Sequence, residues 1–238
     1  MIDTHCHLLP GLDDGPRTMS ESVALARALS DSGVTAVACT PHFSSRYPTP
    51  VAEARRGLAS LPTALAAESV ELDIALAAEV SPAFALDAAD DELVDRTMGG
   101  EHLLVEIGPG TPGGVVELVV ERLGGLGLLP ILAHPERCRA VRERPQVLDG
   151  ARASGALVQV VARSLADEAA DGVADAAWEI LDAGRADLIA TDAHRPGHAG
   201  AALVAALVEV GRRYGAASLE ALTDSTPAGL IGGSGGRR

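Results

Sequence analysis

Lysine is absent from this 238-residue chain, and every basic side chain is arginine. A compositional bias of the genome accounts for that, and it assigns no partner. Aromatic residues are nearly as scarce, at 2%. A core must therefore be built from Ala, Val, Leu and Ile, and 47% hydrophobic content is ample for one domain of α/β-barrel size. Basic charge is outnumbered, 19 against 33 acidic residues, for a net charge of −14. A phosphate backbone is repelled by such a surface, which excludes nucleic acid as the main partner unless bound metal ions reverse the sign locally. Cysteine occurs three times, widely spaced and without a CxxC. No disulfide framework is indicated, a reducing cytoplasm fits, and Cys6 and Cys39 sit in apolar runs as core residues. No charged-then-apolar leader precedes Ile2, and no apolar run reaches the length of about eighteen residues that a membrane span needs. The expectation is a soluble cytoplasmic protein without a membrane span.

What is present is a rhythm. Seven short apolar runs alternate with helical stretches, from "MIDTHCHL" and "VTAVACT" through "LDIALAAEV", "HLLVEI", "LPILAHPER" and "ALVQVVA" to "DLIATDAH". Thr18 and Glu21 are spaced as a capping box for the first helix, with Gly33 as its stop. Residues 51–68 read as a helix interrupted by Pro62, and Trp178 falls on the buried face of a later helix. Runs apolar on both sides of the pleat suit strands covered on both faces. Seven βα units in this length favour a closed parallel barrel over an open sheet. One domain is expected over residues 1–231, and the Gly-rich tail 232–238 is expected to be disordered.

The ends of the runs carry the chemistry. His5 and His7 end the first, His42 the second, Glu79 the third, Glu106 the fourth, His134 the fifth, and Asp192 with His194 the seventh; Asp14 follows in the "LDDG" loop. Five of the seven histidines lie at such ends, while His102 and His198 do not. In a parallel barrel all strand C-termini open onto one face, so these residues converge there. Residues two apart on a strand point the same way, so H-x-H and D-x-H each offer two ligands. Pro41 and Pro135 should hold Thr40 and His134 extended. Any one such residue is ordinarily a loop residue, but carboxylates and imidazoles gathered in one mouth require cations. Nine nitrogen and oxygen ligands without a thiolate suit Mn²⁺, Fe²⁺ or Zn²⁺, and their number suggests three ions.

The stretches "HCHLLPGLDDG", "CTPH", "HPERCR" and "ATDAH" resemble the PHP (polymerase and histidinol phosphatase) superfamily. Within it, the opening is similar to the bacterial manganese-dependent protein-tyrosine phosphatases of capsule and exopolysaccharide loci. The resemblance runs from Ile2 to about His194. It implies a distorted seven-stranded (β/α)7 barrel with a trinuclear site, acting on phosphotyrosine of an exopolysaccharide-system tyrosine kinase. By motif, His5, His7, Glu79 and Asp192 would hold one ion. Glu79, Glu106 and His134 would hold the second, and Asp14, His42 and His194 the third. Asp3 would orient a ligand imidazole from behind. The chain departs from the family's pattern at Ser81, where Arg is common, at Val161 and Arg163 in "QVVARS", and at Arg195. The departures bear on the substrate rim, where Arg139 is the first choice for phosphate contact, followed by Arg137, Arg195 and Arg46. Phe43 and Tyr47 would border a ring-binding cleft. A small-molecule phosphatase of the histidinol-phosphate type and a non-catalytic metal-binding module remain alternatives.

Overall fold

The computed structural model describes residues 1–166 and 172–231; the expectation of a disordered tail lies outside them. Among the described residues the strands are β1 (Ile2–Cys6), β2 (Ala36–Cys39), β3 (His42–Phe43), β4 (Asp73–Leu76), β5 (Glu79–Val80), β6 (His102–Glu106), β7 (Leu129–Ala133), β8 (Leu157–Val161) and β9 (Leu188–Ala190). Every strand pair is parallel. The order is β1-β2-β4 in one sheet and β3-β5-β6-β7-β8-β9 in the other.

The alternating α/β architecture is as expected, but two of the seven runs are each broken into two strands. Between β2 and β3 lies Pro41, which has no N–H to give to a ladder. Between β4 and β5 the chain turns aside: Ala77 still donates to Cys39, but the Ala78 N–H goes to the Arg96 carbonyl, off the sheet. The two sheets meet where β1 runs into the segment after β9. There Asp192 donates its N–H to the His5 carbonyl and His7 to the Ala193 carbonyl, both at 2.9 Å.

Alternate residues of the strands enter different cores. Val37, Leu103, Val105, Leu132 and Ile189 join the main cluster, which the helices cover. Ala38, Leu104, Ile131, Ala133 and Leu188 join a smaller cluster with Met98 and Leu230. Both faces of the sheet are therefore dry, as the unbroken apolar runs require.

The covering helices are α1 (Met19–Asp31), α2 (Val51–Ala67), α3 (Pro82–Asp87), α4 (Asp90–Val94), α5 (Gly113–Gly125), α6 (Arg139–Glu143), α7 (Val147–Ala153), α8 (Val173–Asp182), α9 (Ala201–Tyr214), α10 (Ala216–Glu220) and α11 (Thr226–Ile231). Thr18 caps α1 by accepting the Glu21 N–H at 3.2 Å, while the Glu21 carboxylate takes the Arg17 N–H. Pro62 does not end α2. It faces solvent, where water can satisfy the carbonyl that its missing N–H leaves free, and Leu61 and Leu65 anchor the helix on the other side. Trp178 is only partly buried; its indole donates to the Leu165 carbonyl and Arg213 stacks on the ring at 3.8 Å. No helix among the described residues is long and apolar enough to cross a membrane.

Candidate metal centre

β1 delivers His5 and His7 to one spot, with their Nε2 atoms 3.3 Å apart. Each ring is held from behind. Nδ1 of His5 is 2.8 Å from Gln159 Oε1, and Gln159 in turn donates to Thr4 Oγ1. Nδ1 of His7 is 2.7 Å from Asp13 Oδ2. An acceptor behind each ring keeps the proton on Nδ1 and turns the Nε2 lone pair forward. Asp13 also accepts the backbone N–H groups of His42 and Gly15 at 2.9 Å. Gly15 is required there, because a Cβ would stand 2.6 Å from the His7 carbonyl oxygen.

Glu79, at the start of β5 and fully buried, is the hub. Its Oε1 lies 2.9 Å from His134 Nε2. Its Oε2 lies 3.0 Å from His42 Nδ1 and 3.2 Å from Nε2 of both His5 and His7. Asp192 presents Oδ1 to His5 and His7 at 3.4 and 3.5 Å. Asp14 Oδ1 lies 3.3 Å from His194 Nε2 and 3.5 Å from His42 Nε2. His194 stacks on His7 with ring centroids 3.9 Å apart.

Three sets of ligand atoms each fall within 4.8 Å of one another: His7, Asp14, His42 and His194; His5, Glu79 and His134; His5, His7 and Asp192. Eight of the nine residues expected from sequence are thus gathered; Glu106, half-buried at the end of β6, is in none of these sets. The donor set fits divalent ions. Two imidazole nitrogens face each other, and the buried Glu79 Oε2 has no hydrogen-bond partner among the described residues despite three nitrogens within reach. A cation resolves both conflicts.

The charge states agree. Burial opposes charge on His7, but Asp13, Asp192 and Glu79 outweigh it and raise its pKa well above the usual value. His42 and His134 are raised as well, because Glu79 overcomes burial. Glu79 and Asp192 are held well below the ordinary carboxylate range, since His5 and its neighbours outweigh the cost of burying them.

Strain is concentrated here. His134 and Asp192 both adopt positive φ, 40° and 50°. Each costs on the order of 1–3 kcal/mol for a residue with a Cβ. Pro135 therefore does not hold His134 extended. The chain turns left-handed at His134 because the following residues, Pro135–Arg137, start a 3₁₀ turn.

Other expectations need correction. Asp3 makes no hydrogen bond to an imidazole among the described residues. Its carboxylate accepts the Thr191 N–H, the Thr191 hydroxyl and the His5 N–H, which ties the backbone of β1 to the strand end after β9. Burial pushes its pKa up to about 6 against those hydrogen bonds. Arg139 is 77% exposed on α6 and pairs with Glu143 at 2.7 Å. The 3₁₀ turn after His134 brings Arg137 inward instead, with Nη1 2.7 Å from Asp192 Oδ2. Arg195 donates through Nε to His198 Nε2 at 2.9 Å. Burial, Arg163 and Arg195 push the His198 pKa down to about 4, so it stays neutral. Arg46 stacks over Tyr47, whose ring lies on His42 at 5.5 Å. Phe43 instead packs edge-on to Phe84 beneath the Arg96 guanidinium. Ser81 caps α3 by accepting the Phe84 N–H, a role Arg could not fill.

Three participants escaped the sequence reading. Asp13 was hidden beside Asp14, although the doubled aspartate was itself a signal. Gln159 could have been noticed as the one polar residue in the apolar strand "LVQVV". Arg163, whose Nη2 is 3.2 Å from Asp192 Oδ2, was visible only as a departure.

The chain matches the family described as capsular polysaccharide synthesis, CpsB/CapC, over residues 1–232. The tyrosine-protein phosphatase YwqE of Bacillus subtilis is 28% identical over 199 residues, covering 82% of this chain and 77% of that protein. The tyrosine-protein phosphatase CpsB of Streptococcus pneumoniae is 26% identical over 143 residues, 59% of each chain. A crystal structure from work on YwqE and CpsB, described as unique metal-dependent tyrosine phosphatases, superposes with a TM-score of 0.86 at 26% identity, covering 98% of this chain and 95% of that one. A β-aspartyl dipeptidase of Fervidobacterium islandicum shares the fold at 15% identity, with a TM-score of 0.59 over 97% of this chain and 72% of that one. The chain belongs to the CpsB/CapC family of capsular polysaccharide synthesis.

Proposed function

We propose that this chain is a metal-dependent protein-tyrosine phosphatase, working as one domain over residues 1–231. The observation that carries the reading is the overlap of three ligand sets through His5 and His7, which fits a polynuclear centre better than a single ion. Three divalent ions, most simply Mn²⁺, with Fe²⁺ or Zn²⁺ as alternatives, suit nine ligands without sulfur. His5, His7, Glu79 and Asp192 would hold the first, Glu79, Glu106 and His134 the second, and Asp14, His42 and His194 the third. Joining β2 to β3 and β4 to β5 gives seven strand lines, and the β1 contacts after β9 support reading them as a distorted seven-stranded barrel.

When bound, such ions supply Lewis acidity at phosphorus and lower the pKa of water, which phosphomonoester hydrolysis needs. The chain's own residues do the rest. Gln159 and Asp13 fix the His5 and His7 rings. Arg137 has donors beyond the one it gives Asp192, and these suit two phosphoryl oxygens at once. Tyr47, stacked on His42, offers a ring face beside the centre. A tyrosine leaving group has a pKa near 10, so it departs with less protonation than an alkoxide would need. The substrate in this reading is phosphotyrosine on a cytoplasmic kinase of capsule or exopolysaccharide synthesis.

Protein reconstituted with Mn²⁺ should hydrolyse phosphotyrosine peptides and prefer them to histidinol phosphate. Preference for histidinol phosphate would move the reading to a small-molecule phosphatase. Failure on both would leave a metal-binding module.

A further inference from the structure

One oxygen of Asp192 faces two guanidinium groups. Arg137 Nη1 is 2.7 Å and Arg163 Nη2 is 3.2 Å from Oδ2, while Oδ1 faces His5 and His7. A single carboxylate cannot neutralise both arginines, and a cation ligated at Oδ1 would draw on the same charge. Among the described residues Arg163 has no other carboxylate partner. It also has donors to spare: a guanidinium carries five N–H groups, and Asp192 takes one of them through Nη2.

Arg163 does not lie behind the centre. Its side chain is 38% exposed and lines an open cleft that continues past Asp14 and His194 to Arg195 and Arg17. Of the acidic groups of that cleft, Asp13 faces His7, Glu21 offsets Arg17, and Asp14 lies beside His42 and His194. Among the described residues Arg195 makes no ion pair with a carboxylate; its Nε donates to the His198 ring. On a chain of net charge −14, Arg17, Arg163 and Arg195 thus form a patch of guanidinium groups that lines one cleft next to the ligand cluster. An anionic substrate is drawn to such a patch, and a guanidinium fork matches a carboxylate.

We propose that Arg163 is a specificity residue: with Arg195, it binds an acidic side chain adjacent to the phosphotyrosine, while Arg137 takes the phosphoryl group. This rests on the phosphatase reading above and narrows its substrate to acidic phosphotyrosyl segments. Arg163 then contributes to binding of the flanking carboxylate as well as to holding Asp192.

The test uses three substrates: 4-nitrophenyl phosphate, a phosphotyrosine peptide with flanking Glu, and the same peptide with flanking Gln. The full chain loaded with Mn²⁺ should prefer the Glu peptide. Arg163→Ala should lower the ratio of kcat/KM on the Glu peptide to that on the Gln peptide by about tenfold, mainly through KM, as one charge-assisted contact implies. The loss that the Glu peptide shares with the Gln peptide and 4-nitrophenyl phosphate, from disturbing Asp192, is that of a residue supporting a metal ligand, about ten- to hundredfold, and should be equal on those two substrates. Arg163→Lys should keep part of the preference, since a charge remains. Calorimetry with peptides carrying a non-hydrolysable phosphonate in place of phosphotyrosine reads the same preference without turnover, and elemental analysis confirms equal metal content. Equal losses on all three substrates, or no preference in the parent protein, would overturn the proposal. If no substrate turns over but the phosphonate peptides still show an Arg163-dependent preference, the phosphatase reading fails and the anion site stands.

Discussion

Glu79 combines complete burial, three imidazole nitrogens around one oxygen and a fourth against the other. Removing its charge leaves those imidazoles facing one another. Glu79→Gln should therefore lower kcat/KM by more than about 100-fold, beyond what the loss of a supporting residue costs, and should lower Mn²⁺ content with it. The arginines after His134 give a sharper contrast. Arg137→Ala should cost roughly ten- to two-hundredfold, the value of a charge-assisted contact to phosphate. Arg139→Ala should leave kcat/KM within about twofold, because an exposed i,i+4 ion pair with Glu143 contributes little even to stability. Kinetics on 4-nitrophenyl phosphate for both variants, with metal analysis alongside, checks the pair; the reverse order would restore Arg139 to the rim. Sequence spacing favoured Arg139 because it says only that both arginines follow the strand end. Which one turns inward depends on the left-handed backbone at His134, and no residue type announces that.

At the scale of elements, the ends of strands were legible, but not all of their joints. His5, His42, Glu79, His134, Asp192 and His194 could be placed because each ends an apolar run, and parallel strands put their ends together. The break after Cys39 is announced by Pro41, whereas the one after Leu76 leaves the apolar pattern unchanged and only the diverted Ala78 N–H reveals it. Gln159 was illegible as a partner of His5 for a different reason: 154 residues separate them, and only the neighbouring strands join them. The β1 seam depends on Asp3, whose carboxylate takes two buried N–H groups and the Thr191 hydroxyl. Asp3→Ala should orphan those donors at about 1–3 kcal/mol for each unsatisfied group. With three donors orphaned, about 3–9 kcal/mol in all, the midpoint of thermal unfolding should fall by at least roughly 6 °C, given about 2–4 °C per kcal/mol in a chain of this size. A melt within a degree of the parent's would show that the seam is held by other contacts.

For the molecule as a whole, protons and metal ions compete for one cavity. The folded-state pKa values of His7, His42 and His134 are raised. The stability these groups give the metal-free protein is present below the unfolded histidine value and is lost as pH rises through their folded values. Metal binding requires them unprotonated, so Mn²⁺ should displace about one proton or more per chain at pH 7 and bind more tightly as pH rises. Calorimetric titration in two buffers of different ionisation heat detects this; heats independent of buffer would contradict it.

The central claim is that the clustered histidines and carboxylates form a polynuclear metal centre. Its most direct test is elemental analysis of protein stripped, reconstituted with Mn²⁺ and desalted, compared with Glu79→Ala treated the same way. The ligand count predicts about three ions per chain in the parent protein and a clear loss in the variant. Retention of fewer than about one ion per chain by the parent, or equal retention by both proteins, would contradict it.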